Sequence, residues 1–178
     1  ALCSHITTNS FQYAPKAHIY YRRDIQGKYV DYVVIMAYDE HYSGSEESGS
    51  VSSISWVTNA VNNTKKDVSS DKIIIGIPFY TRLWEESDGK AISKIVNMKS
   101  VEEVLPDNVN KQWNDELKQF YVEYNQDGKT YKMWIEDETS LKEKINLVSK
   151  YNLAGVAAWE KDREPENIWN VINQELNR

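Results

Sequence analysis

The stretch VDYVVIMAYDEH, residues 30–41, runs β-branched and aromatic side chains almost without interruption and then stops at Tyr38, Asp39, Glu40 and His41. A nearly continuous apolar run of strand length suits a strand covered on both faces, as in a parallel sheet. Two further runs have the same character: KIIIGIPFY from Lys72 to Tyr80, and LAGVAAW from Leu153 to Trp159. Each ends as the first does, one in Phe79-Tyr80-Thr81-Arg82 and the other in Trp159-Glu160. In parallel α/β sheets the carboxyl ends of neighbouring strands converge on one rim, where ligands bind. Separate segments thus deliver Tyr38, Tyr80, Arg82, Trp159, Asp39 and Glu160 to one place. The first strand ends in hydrogen-bonding groups because it reaches a binding cleft.

Helical patterns lie beside these strands. SISWVTNAVNN, residues 53–63, spaces Ile54, Val57 and Val61 for one helix face, and TSLKEKINLVSKY, residues 139–151, does the same with Leu141, Ile145 and Val148. Thr139 or Ser140 suits the start of the second and Asn152 its end, while Pro165 suits the first turn of a last helix in EPENIWNVINQEL. Strands alternating with helices predict an α/β fold. The alternation breaks at FYVEY (120–124) and KTYKMWIE (129–136), where apolar and polar residues alternate around the turn NQDG. That pattern predicts an antiparallel hairpin inserted between the second and third core strands, preceded by a short helix in SVEEVL.

Composition bounds the rest. The 178 residues suit one domain with a substantial core. A net charge of −6, with basic residues scattered among acids, argues against a nucleic-acid partner. No apolar run approaches the ~20 residues of a membrane helix, so no membrane partner is expected. Cys3 is the only cysteine and His5, His18 and His41 lack ligand spacing, so no metal or other cofactor is expected. Asn62-Asn63-Thr64 fits a glycosylation acceptor, a match more often due to chance. Six Trp and twelve Tyr against three Phe give most rings a polar handle. Such rings suit a sugar-binding cleft or ordinary half-buried packing about equally.

Met36-Ala37-Tyr38-Asp39, GIPFYTRLW from Gly76 to Trp84 and GVAAW from Gly155 to Trp159 together resemble glycoside hydrolase family 18, in its bacterial cell-wall and spore-cortex branch. The resemblance runs in one register from about Tyr20 to the C-terminus, while residues 1–19 match poorly. It implies an α/β fold, the C-terminal portion of a (β/α)8 TIM barrel, with the three motifs on its sixth, seventh and eighth strands. Residues 1–19 would hold a remnant of the fifth strand, and about 91–136 a small inserted α+β subdomain. A whole barrel takes ~250 residues. An open half barrel exposes a sheet edge, so the expectation is a homodimer, an element swap or association with the missing N-terminal half.

Family members hydrolyse β-1,4-linked N-acetylglucosamine polysaccharide, using the substrate's acetamido oxygen as nucleophile. The resemblance gives Tyr38 the task of holding that acetamido group and Asp39 that of touching sugar hydroxyls and tuning the field near the acid. Met36 packs under the acetamido methyl, Trp159 forms the floor for the sugar ring, and Tyr80 and Arg82 border the cleft. Thr81, where many chitinases have glycine, leans toward peptidoglycan over chitin. The family's general acid ends a DxxDxDxE motif, and this sequence contains none. The expectation is therefore part of a glycosidase or, alternatively, a non-catalytic carbohydrate-binding module, secreted or associated with cell wall or spore. A surface ion pair of Arg82 with Glu160 is the plainer reading of those two side chains, and Asp39 with Glu160 as an acid/base pair is disfavoured. Trp56, Trp113, Trp134 and Trp169 read as packing.

Overall fold

The computed structural model describes residues 2–5 and 22–177. Strands β1 (Leu2–His5), β2 (Val33–Met36), β3 (Ile73–Pro78) and β9 (Gly155–Trp159) form a four-stranded sheet in the order β1-β2-β3-β9. Every pair in it is parallel, with Met36 opposite Gly76 and Trp159 opposite Pro78, so the carboxyl ends of the three apolar runs lie level. β1 takes the place beside β2 where a remnant strand was expected; residues 6–19 of that stretch lie outside the described residues.

Helices α2 (Ile54–Thr64), α4 (Glu138–Tyr151) and α5 (Ile168–Leu176) set their apolar stripes against this sheet. Val57 and Val61, Leu141 and Ile145, and Ile168 and Val171 join Val33, Ile35, Ile73, Ile75 and Ile77 in one core. The other face is less covered: Val34, Met36 and Ile74 are half-buried. The two-sided burial expected of β2 is therefore only partial, because the helices' apolar stripes all join the core on the Val33–Ile35 side. β3, paired on both sides, is more buried than β9, whose outer edge pairs with no described strand.

The caps differ in detail from expectation. α4 is capped by Asp137, whose carboxylate accepts from Ser140 N at 2.8 Å while Ser140 Oγ accepts from Asp137 N at 3.0 Å. Ser140 is thus the inner partner of a capping box rather than the cap. Asn152 ends α4 in the left-handed region, φ 54°. α5 begins only at Ile168, whose N–H donates to the Pro165 carbonyl at 3.2 Å, so the proline sits just ahead of the helix. α1 (Arg23–Tyr29) had no clear apolar periodicity to announce it.

A second sheet runs β5-β4-β8-β7-β6, all antiparallel, and it contains the expected hairpin. β7 (Gln119–Gln126) and β8 (Lys129–Ile135) turn through Asp127 and Gly128 at φ 51° and 75°. Positive φ at both positions is the hairpin turn that Asp-Gly favours. The sheet also takes in β4 (Tyr80–Ser87), ahead of the expected start near residue 91, β5 (Lys90–Asn97) and the short β6 (Gln112–Asn114). Helix α3 (Val101–Val104) closes its own small core of Leu83, Val96, Val122, Met133 and Ile135. Only Phe79 separates β3 from β4, so the chain passes directly from one sheet to the other at the site.

Candidate functional site

β2 delivers Tyr38 and Asp39 to the rim, and the loop that follows is tied down on both sides. The Ala37 carbonyl accepts from Ser52 Oγ at 2.6 Å. Asp39 turns the chain at φ 58°, a left-handed conformation that aspartate tolerates better than most residues. Glu40 then reaches Ser53, accepting from its backbone N–H at 2.7 Å and its hydroxyl at 3.0 Å. Ser53 Oγ in turn accepts from Trp56 N as the cap of α2. His41 donates backbone N–H and Nδ1–H to the Ser50 carbonyl at 3.1 and 2.9 Å. Glu40 and His41 therefore anchor the loop, and the polar cluster that ends the first run is partly scaffolding.

Gly76 makes room for Tyr38. A Cβ at that position would lie 2.7 Å from the Ile35 carbonyl oxygen and 3.2 Å from Tyr38 Cε1. Only a glycine lets the Tyr38 ring lie this close against β3. The ring meets Tyr80 edge to face, with centroids 6.4 Å apart.

Tyr80, the first residue of β4, donates its hydroxyl to Asp39 Oδ1 at 2.7 Å. Burial first, and the bond to Asp39 second, push the Tyr80 phenol above its ordinary range, so it stays protonated and donates. Tyr80 is 4% exposed, and its hydroxyl is spent on Asp39. In this structure it orients Asp39. Asp39 itself is exposed.

Trp159 closes the other side. Its carbonyl accepts from Phe79 N at 2.7 Å, which locks the end of β9 to the end of β3. Its side chain is 52% exposed, as a surface on which a ring could stack must be. The next residue, Glu160, pairs with Arg163 at 2.7 Å rather than with Arg82. Arg163 also donates to Asn97 Oδ1 at 3.1 Å and lies 5.9 Å from the Tyr80 ring centre. Arg82 is only 7% exposed and donates through Nη1 to Ser93 Oγ at 3.1 Å. Met36 lies half-buried at the end of β2. The structure thus groups Tyr38, Asp39 and Tyr80 in mutual contact, with Trp159 at the end of the adjacent strand pair. Among the described residues no cluster of three or more His, Cys, Asp or Glu is arranged to hold a metal ion. No described helix is long and apolar enough to cross a membrane.

The sequence model of "Glycosyl hydrolases family 18" matches residues 6–164. The chain belongs to this family. Among curated relatives, the uncharacterized glycosylase YvbX of Bacillus subtilis (strain 168) is 31% identical over 152 residues, covering 83% of this chain and 43% of YvbX. A chitinase from Chromobacterium violaceum superposes with a TM-score of 0.86 at 22% identity, over 99% of this chain and 55% of that one. The Bacillus cereus spore cortex-lytic enzyme SleL gives a TM-score of 0.81 at 24% identity, over 97% of this chain and 40% of that one. At such identities the two structures speak for the fold alone. The chain spans less than half the length of the curated relatives it matches most strongly.

One feature of this chain escaped the sequence reading. Glu136, at the end of β8, is fully buried and accepts from Lys144 Nζ at 3.0 and 2.9 Å and from Ser140 Oγ at 2.9 Å. Gln119 Nε2 donates to the same carboxylate, and Gln119 Oε1 accepts from Ser50 Oγ at 2.6 Å. A buried polar chain therefore runs from α4 through the second sheet to the loop behind Asp39. Glu136 falls after an apolar strand and eight residues before Lys144, but on a different element. Nothing in helical or strand spacing links the two.

Proposed function

We propose that this family 18 chain supplies one rim of the sugar cleft of a glycosidase acting on β-1,4-linked N-acetylglucosamine polysaccharide, peptidoglycan or chitin. The observation that carries the proposal is the Tyr80–Asp39 hydrogen bond, which joins two of the motifs at the level ends of adjacent parallel strands. Tyr38 holds the acetamido group of the bound sugar so that its oxygen attacks the anomeric carbon with overall retention. Asp39, fixed by Tyr80, faces the sugar and shapes the field around the reacting centre. Trp159 offers its exposed ring as a stacking floor, and Met36 packs beneath the acetamido methyl.

The four parallel strands correspond in this reading to strands five to eight of a (β/α)8 barrel. The outer edge of β9, which pairs with no described strand, and the half-covered face of β2 support it. The described residues form, in this reading, one partial barrel domain with the second sheet as its insertion. With no DxxDxDxE motif in this sequence, the proton donor comes from a partner segment, an N-terminal barrel half. That same lack favours a second reading, a carbohydrate-binding module without catalysis. A putative sporulation-specific glycosylase of Bacillus subtilis, 34% identical over 137 residues, supports a cell-wall or spore-associated place of action, and a secreted one is part of the same reading.

The test is digestion of chitooligosaccharides and peptidoglycan by the purified chain, read by mass spectrometry, with Trp159→Ala as control. Binding without cleavage, sensitive to Trp159, is the expected result. Cleavage by the chain alone would show a proton donor within these residues and overturn the partner-supplied acid. Absence of both cleavage and binding would overturn the cleft.

A further inference from the structure

Beyond the reading of the rim as a sugar cleft, on which this rests, we propose that Gln119 is a positioning residue for the bound glycan. From the second sheet it fixes, through Ser50, the loop that follows Asp39, and so sets where the Asp39 carboxylate meets the sugar.

The register of the β7–β8 ladder places Gln119 one step beyond the Phe120–Ile135 pair, directly across from Glu136. Residues so opposed share a face of the sheet, and both of these are fully buried. The Glu136 carboxylate, paired with Lys144, only accepts hydrogen bonds. It therefore takes the Gln119 amide by its Nε2 end and turns Oε1 toward the loop. An amide turned the other way would set its oxygen against the carboxylate. Ser50 Oγ then has to donate to Gln119 Oε1, at 2.6 Å, which leaves its lone pairs to accept from Ser52 N at 3.0 Å. The charge on Glu136 thus fixes the direction of each bond as far as the loop.

Beyond Ser50 the bonds close around Asp39. The Ser50 carbonyl holds His41, and the Val51 carbonyl accepts from Glu40 N at 2.9 Å. Ser52 Oγ holds the Ala37 carbonyl. Residues 50–52 therefore clamp the chain just before and just after Tyr38-Asp39, and Asp39 sits between the clamps at φ 58°. A left-handed residue other than glycine keeps its place where its neighbours over-determine it. The second sheet meets this loop elsewhere too. Ser48 Oγ donates to Glu86, Trp84 Nε1 to the Gly49 carbonyl at 2.9 Å, and Ile54 N to the Leu117 carbonyl at 3.1 Å. Of these ties, only that of Gln119 reaches a residue of the clamp. Tyr80, also from the second sheet, holds the Asp39 carboxylate itself, so backbone and side chain of Asp39 are both set from there.

The experiment pairs hydrogen–deuterium exchange of the loop amides with calorimetric titration of chitotetraose, on the full chain and on Gln119→Met, Ser50→Ala and the double variant. Asp137→Ala, which weakens the α4 cap and touches neither Gln119 nor Ser50, is the stability control. Each single variant should speed exchange in residues 40–52 well beyond any change in β2 and weaken sugar binding about three- to tenfold. The double variant should lose no more than the worse single one, since both break one chain of bonds. Asp137→Ala should keep wild-type affinity and wild-type exchange in the loop. Should Gln119→Met not fold, Ser50→Ala carries the same readouts. Unchanged sugar affinity in the folded variants overturns the proposal while leaving the cleft standing, as does unchanged loop exchange. An equal loss in Asp137→Ala reduces the effect to stability and overturns it as well, and losses that add in the double variant overturn the route through Ser50. A wild-type chain that binds no sugar overturns the cleft and the positioning role together.

Discussion

Replacing Lys144 with methionine leaves the Glu136 carboxylate in the interior without its counter-charge. Glu136 and Lys144 side chains are 0% and 1% exposed, and the ammonium supplies hydrogen bonds to both carboxylate oxygens. Ser140 and Gln119 remain as donors but carry no charge. Breaking a buried pair by removing one partner costs about 3–5 kcal/mol. For a chain of this size that lowers Tm by about 6–20 °C. The pH dependence carries a sign. Burial already holds the Glu136 carboxyl above its ordinary value, while Lys144 and then Ser140 pull it back. Without Lys144 it rises further. A carboxyl whose folded value exceeds its unfolded value does no harm in acid, where both states are protonated. It destabilises progressively as pH climbs past the unfolded value of about 4.3. The deficit of Lys144→Met is therefore small near pH 4 and complete at neutral pH. Urea unfolding, followed by tryptophan fluorescence from acid to neutral pH, measures it. Glu136→Leu combined with Lys144→Met should recover most of the loss, since an apolar pair can replace a buried ionic one. A neutral-pH deficit below about 1 kcal/mol, or one flat with pH, would refute the reasoning.

Three further outcomes are expected. Gly76→Ala forces a methyl group against the Ile35 carbonyl and the Tyr38 ring, costing about 1–3 kcal/mol in a melt and weakening chitooligosaccharide binding through Tyr38. Unchanged affinity would remove Tyr38 from the site. Tyr80→Phe takes away only the donor to exposed Asp39. Unfolding free energy shifts by less than about 1.5 kcal/mol, while glycan affinity falls about two- to tenfold in calorimetry as Asp39 loses its orientation. Asp137→Ala deletes the α4 cap and costs about 0.5–2 kcal/mol in urea unfolding, with sugar binding unaffected.

The rim was legible in the sequence because strand ends announce themselves. Tyr38-Asp39 and Trp159 each follow a β-branched or small-residue run too short and too apolar for anything but a covered strand. Asn152 and the Asp127-Gly128 turn were legible for a local reason, since both need left-handed backbone. Residues 80–97 were not. The second apolar run flows into Tyr80 without a turn signal, so the switch from the parallel sheet to β4 leaves no mark. The α4 cap was placed too late because Ser140 and Asp137 both make capping hydrogen bonds. Burial of Tyr80 and Arg82, and the partnership of Glu136 with Gln119 and Ser50, depend on how the second sheet folds back on the first. Such long-range packing has no period to read.

The measurement that tests the central claim most directly is calorimetric titration of chitotetraose into the wild-type chain and Trp159→Ala, with a melt of each. Trp159 is 52% exposed, so its truncation should leave the melt nearly unchanged. Loss of a stacking ring should weaken binding about tenfold or more. Equal affinity in the two proteins would contradict the assignment of this rim as the sugar cleft.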